Sequence, residues 1–158
     1  MRLLPLFFLF PFAAIAQDDK KVMETINFLF EGMKKSDSAI VHKTFHTTAR
    51  LTSVSLDAKT SQPVLKEGQV SGFLKSIGTP HSEVYNELIW SPKIDIDGNF
   101  AQAWAPYVFY LGKTFSHCGV DAFQLFKDSS GVWKIFNLAD TRQKEGCHVP
   151  KEISDRMK

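Results

Sequence analysis

His117 and Asp121 are the residues whose types and spacing point most directly to chemistry. Both fall in the run Thr114 to Lys127, an uninterrupted strand pattern. Alternation along a strand sends side chains i, i+2 and i+4 to one face. That face carries Phe115, His117, Gly119, Asp121, Phe123 and Leu125. A carboxylate near a histidine is a general acid/base pair. Four residues along a strand span roughly 13 Å, so a ligand would have to bridge them. Otherwise each pairs with a different neighbour, Asp121 with Arg142 or His46. The alternative is a buried polar pair that satisfies itself and fixes strand register.

The other candidates group around these two. His46 supplies a further polar group, and proton transfer by His117, Asp121 and His46 requires the three to converge. His42 and His46 are four apart, but no Glu stands between them as in a zinc helix. No metal and no cofactor is therefore expected. Trp104, Tyr107 and Phe109 surround Pro106 and can line an apolar ligand or simply fill the core. Trp133, Ile135, Asn137 and Ala139 share a face in the last strand, which puts Asn137 beside His117 and Asp121. Arg142 can clamp a carboxylate or pair with Asp140 or Asp121. His81 is expected at a rim. No glycine-rich phosphate loop or G-x-S-x-G elbow occurs. His117 and Cys118 are strand neighbours, point to opposite faces, and do not suggest a thiol dyad.

These residues need elements to hold them. Val22, Ile26, Leu29, Phe30 and Met33 recur at helical spacing within Asp18 to Ser36. Ser36-Asp37-Ser38 breaks that helix and caps a second, ending near His46. Ala49 to Leu56 reads as a strand, residues 58–68 as a loop, and Glu67 to Ile77 as a short helix. Strands follow over Ser82 to Ile96 (interrupted near Ser91-Pro92), Phe100 to Leu111, Thr114 to Lys127 and Val132 to Ala139. Asp97-Gly98-Asn99, Gly112-Lys113 and Asp128 to Gly131 turn the chain between them. Helices first and a curved antiparallel sheet after make an α+β domain. Its concave face and the helices enclose a conical pocket. Residues 148–158 read as a polar, frayed tail.

The chain has 158 residues, enough for one domain, and a formal charge of +2. Arg2, the apolar run Leu3 to Ile15 and the small-x-small signal Ala14-Ile15-Ala16 form a secretory leader over residues 1–16. Its removal lowers the charge to +1, leaves residues 17–147 as the domain, and implies a periplasmic or secreted protein with no membrane attachment. The near-neutral charge and the lack of a basic stripe with interleaved aromatics exclude nucleic acid as a partner. Cys118 and Cys147 would then meet an oxidising compartment. They form one internal disulfide, an intermolecular pair, or a buried thiol at Cys118.

The segment GKTFSHCGVDAFQLFKDSSGVWKIFNLADTRQKEGC, Gly112 to Cys147, resembles the terminal hairpin of secreted nuclear transport factor 2-like proteins. More narrowly it resembles a group labelled lumazine-binding. INFLFEGMKKSDSAIVHKTFHTTARLTSV, near the N-terminus, is similar to the same group. The resemblance implies a cone of helices against a strongly bent sheet, often dimeric through the sheet's outer face. It includes isomerase-like and dehydratase-like enzymes as well as non-enzymatic modules. The expected function is binding of a small apolar or aromatic molecule. The alternatives are a cofactor-free lyase or isomerase and a homodimeric scaffold.

Overall fold

A computed structural model describes residues 12–157. Most of the predicted leader therefore lies outside the described residues. Helix α1, Phe12–Lys34, buries Val22, Ile26, Leu29 and Met33 along one stripe. At its end Ser36 takes a positive φ of 54°. Asp37 then caps α2, Ser38–Thr44, its Oδ1 accepting from the amides of Ala39 and Ile40 at 3.0 Å each. A Cβ at Gly32 would lie 2.7 Å from Val41 Cγ2, so this glycine sets how closely the two helices approach.

Among the described residues seven strands form one sheet: β1 Phe45–Leu56, β2 Pro63–Gly68, β3 Tyr85–Ile89, β4 Lys93–Asp97, β5 Phe100–Leu111, β6 Thr114–Lys127 and β7 Trp133–Arg142. Helix α3, Val70–Gly78, separates β2 from β3. The order is β2-β1-β7-β6-β5-β3, with β4 also on β5. Only β1 and β7 run parallel; the other pairs are antiparallel. The interruption at Ser91-Pro92 divides the expected single strand into β3 and β4. Both lie along β5, at Tyr107–Leu111 and Phe100–Trp104 respectively. The segment read as a loop before α3 contains β2, an edge strand that Pro63 opens, a position where a missing N–H is tolerated.

The core lies between α1 and the inner sheet face. Ala101, Ala103 and Ala105 of β5 are buried in the same core as the helix stripe. Phe123, Leu125, Trp133 and Ile135 complete it, with Phe30 edge-on to Phe123 at 6.2 Å. This is an α+β cone: a mixed, mostly antiparallel curved sheet wrapped around the N-terminal helices. Among the described residues, no helix is long and apolar enough to cross a membrane.

The C-terminal tail does not fray. Cys118 and Cys147 form a disulfide, Cα–Cα 6.0 Å. Beyond it, α4, Lys151–Ser154, places Ile153 at 4% exposure against Val108, Tyr110 and Cys118. Apolar residues at 149, 153 and 157 within a polar stretch carry this docking onto the outer sheet face. The bond closes a loop of 29 residues' separation. Cys147→Ser is expected to lower unfolding free energy by about 3 kcal/mol, measured by denaturant titration. An unchanged midpoint would contradict a stabilising role for the bond.

Candidate functional site

A cavity of about 290 Å³ opens between α1, α3 and the concave sheet. Its walls are apolar: Leu29, Phe30 and Met33 from α1, Phe73 and Ile77 from α3, and Leu138 from β7. Its ionisable groups all come from the sheet. They include Glu87 of β3, Tyr107 of β5, His117 and Asp121 of β6, and Asp140 and Arg142 of β7. Register explains the convergence. Phe109 stands opposite both Glu87 and His117, and Asp121 stands opposite Asp140.

The carboxylates dominate the electrostatics. Asp121 is 3% exposed, and its Oδ2 has no donor. The neighbour in hydrogen-bond reach is the Glu87 carboxyl, itself an acceptor when ionised. A single proton held between the two satisfies both. Burial, reinforced by the charges of Glu87 and Asp140, pushes Asp121 well above the ordinary range. Burial also raises Glu87 to about 7, with Asp140 adding to it. The third carboxylate, Asp140, accepts from Arg142 Nε at 2.6 Å.

Tyr107 Oη donates to the Thr141 carbonyl at 2.9 Å. Gly119 permits this crowding, since a Cβ there would fall 1.9 Å from that same carbonyl oxygen. The Tyr107 proton is thereby committed to the backbone, and burial raises the phenol further. His117 sits against Phe109, centroids 5.1 Å apart, and edge-on to Tyr107 at 5.7 Å. Burial, then the nearby Arg142 charge, lowers it to about 4, so it stands neutral at pH 7. Ser116 Oγ lies 3.0 Å from its Nδ1.

The cavity thus unites His117, Asp121, Tyr107, Phe109 and Arg142. It does not include His46, Trp104 or Asn137. His46 follows Phe45, which turns inward, so His46 lies outside, 5.5 Å edge-on to Phe126 and 2.9 Å from Thr48 Oγ1. A proton-transfer site built on all three of His117, Asp121 and His46 is therefore not assembled. Nor do His42, His46 and His117 meet: among the described residues, no group of three His, Cys, Asp or Glu is placed to hold a metal. Trp104 lies between the buried Ala103 and Ala105 and so points outward, 54% exposed. His81 stacks on Tyr85 at 4.0 Å, at the mouth of a neighbouring groove.

Asn137 is misplaced by simple alternation for a specific reason. Leu125 pairs with Ile135 but Gln124 with Asn137, so β7 carries an extra residue, Phe136. This bulge reverses the alternation beyond it. Asn137 turns to the outer face, where its Nδ2 donates to Gln124 Oε1 at 3.2 Å. Leu138, Asp140 and Arg142 turn inward instead. A second shift between Phe109 and Tyr110 places one extra residue in β6 at Ser116. Phe115 consequently leaves the His117 face and meets Tyr110, edge-on at 6.2 Å. Glu87 was also missed, although its signal is local: in Tyr85-x-Glu87-x-Ile89 the carboxylate alternates with two apolar residues.

No family model matches this chain, and neither does any curated protein. Solved structures do. A nuclear transport factor 2-like protein of unknown function from Shewanella baltica is 21% identical, with a TM-score of 0.60 over 82% of this chain and 97% of that one. A protein of unknown function from Mycobacterium tuberculosis has a TM-score of 0.69 at 11% identity, over 96% of this chain and 88% of that one. A candidate dehydratase of the same fold from Streptomyces avermitilis has a TM-score of 0.60 at 11% identity, covering 82% and 99%. These likenesses establish the cone-shaped nuclear transport factor 2-like fold.

The buried groups make stability depend on pH in opposed ways. Lowered His117 adds stability as pH rises from about 4 to 6.5, where the unfolded chain binds the extra proton. Raised Glu87 acts oppositely, since the folded chain binds the extra proton; its stabilisation is complete below about 4.5 and fades as pH rises through about 7, and raised Asp121 acts in the same direction. Above about pH 6.5 the histidine contribution is complete and only the acid pair remains. The melting temperature is expected to fall between about pH 6.5 and 8, and Glu87→Gln to flatten that fall. A wild-type melting temperature that rises over this interval would contradict the shared proton.

Proposed function

We propose that this chain is an exported protein that binds a small, partly apolar molecule in the cone cavity. One observation carries the reading: the helices give the cavity Leu29, Phe30, Met33, Phe73 and Ile77 and no ionisable group, while every ionisable group lies on the sheet. Such one-sidedness orients a ligand with an apolar body and a polar head. Export is supported by the leader pattern of residues 1–16 and by the disulfide, a bond that persists in oxidising compartments. The lyase or isomerase alternative has lost His46, and Tyr107 already spends its proton on Thr141. The scaffold alternative expects a closed interior, whereas His117 and Asp121 line an open cavity of about 290 Å³.

Naphthylmethanol, an uncharged aromatic alcohol, is a suitable probe. Its fluorescence is expected to change on binding with micromolar to millimolar affinity. Ser76→Trp, at an exposed position on the cavity lining, is expected to block it without loss of fold. Equal binding by wild type and Ser76→Trp would place the site elsewhere.

The outer sheet face supports pairing of two copies. Phe100, Trp104 and Phe126 are exposed there at 41%, 54% and 37%, and Lys93 and Asp95 lie beside Trp104 on the same face. A patch bearing both charge signs can complement itself across a two-fold axis. Light scattering is expected to give a dimer for wild type and a monomer for Trp104→Asp. A wild-type monomer at tens of micromolar would sink this proposal.

A further inference from the structure

The polar end of the cavity is acidic, and its counter-charge is incomplete. Three carboxylates face it, Glu87, Asp121 and Asp140. Arg142 faces it too, but its Nε is bound to Asp140 at 2.6 Å. The remaining ionisable neighbours do not neutralise the pair. Tyr107 donates to a backbone carbonyl, and His117 is uncharged at neutral pH. Lys144 lies near His117, beyond the end of β7. Residues that α1, α3 and β1 contribute to the cavity carry no charge. Glu87 and Asp121 are therefore left with each other, and buried Asp121 Oδ2 has no donor at all.

A proton resolves this in the empty cavity. A ligand donor resolves it better, because both carboxylates can then ionise and accept charge-assisted hydrogen bonds. No three side chains among the described residues are placed to grip a metal ion, and the walls around the acids are aromatic and aliphatic. Phe30, Phe73, Tyr85 and Phe109 offer ring faces or edges to an organic body and a cation. From this geometry we infer that the ligand is a small amphipathic amine, its ammonium seated between Glu87 and Asp121 and its apolar body against α1 and α3.

This inference rests on the cavity-binding reading, so the test separates the two. Three molecules with one body and different heads are compared by calorimetry: naphthylmethylamine, naphthylmethanol and naphthoate. The amine is expected to bind at least about tenfold more tightly than the alcohol, as a charge-assisted contact warrants. Naphthoate is expected to bind most weakly. Around pH 6, amine binding should release about one proton, seen as a dependence of heat on buffer ionisation. Amine affinity should then rise toward pH 8 as the acid pair loses that proton beforehand, while alcohol affinity stays flat. Glu87→Gln should abolish the amine preference, with circular dichroism reporting that the variant is folded. If the alcohol binds but the amine binds no better, or naphthoate binds best through Arg142, the amine inference is overturned and the cavity reading stands. If none of the three binds, both fall.

Discussion

The register between β6 and β7 decides what meets inside the cone. Those strands are held by a bulge at Phe136, which reverses the alternation of β7 midway. Before the bulge, Trp133 and Ile135 pack the core against α1. After it, Leu138, Asp140 and Arg142 face the cavity. Were β7 to alternate regularly through Phe136, Asn137 would point inward and the Asp140–Arg142 pair outward. Gly119 fixes the same junction from the other strand, since any side chain there collides with the Thr141 carbonyl. Tyr107 then locks that carbonyl by hydrogen bonding.

The charge pattern of the cavity follows from this register. Asp140 arrives with its own partner, Arg142, on the same strand. Glu87 and Asp121 arrive from different strands and bring none. Two carboxylates so close in a closed space cannot both be ionised cheaply, so they hold a proton instead. That proton is a placeholder for a ligand group, and it gives the site its sensitivity near neutral pH. Behind the sheet, the disulfide and the docked tail brace β6 on the opposite face to His117. Cys118 alternates with His117 and Gly119, so the bond anchors the strand that presents both His117 and Asp121.

Much of this was legible in the sequence, because period-two and period-3.6 patterns are strong where one face is buried. The α1 stripe, the β5–β6–β7 meander and the shared face of His117 and Asp121 all follow from spacing alone. What failed did so at particular residues. Asn137 and Phe115 were misplaced because a bulge leaves no mark in alternation counted from one strand. Asp140 was read only as a partner for Arg142, for the same reason. Glu87 was passed over although Tyr85 and Ile89 flank it in strand period. His46 and Trp104 were grouped with the site by residue type, whereas their parity with buried Phe45 and with Ala103 and Ala105 argued for the outer surface. The docking of the tail hangs on three apolar residues spaced through a polar run, too sparse to read without the surface that receives them.

The account stands on one proton shared between Glu87 and Asp121. Carbon-detected NMR of the side-chain carboxyls, followed across pH in wild type and in Glu87→Gln, observes it directly. The Glu87 and Asp121 carboxyl resonances are expected to respond to one shared proton that persists well above the ordinary range, with the Glu87 step near 7. Both should shift together, and Glu87→Gln should remove one and move the other. If every Asp and Glu carboxyl has titrated by about pH 5, the ordinary range for these groups, no proton is shared and the proposed role of the acid pair is wrong.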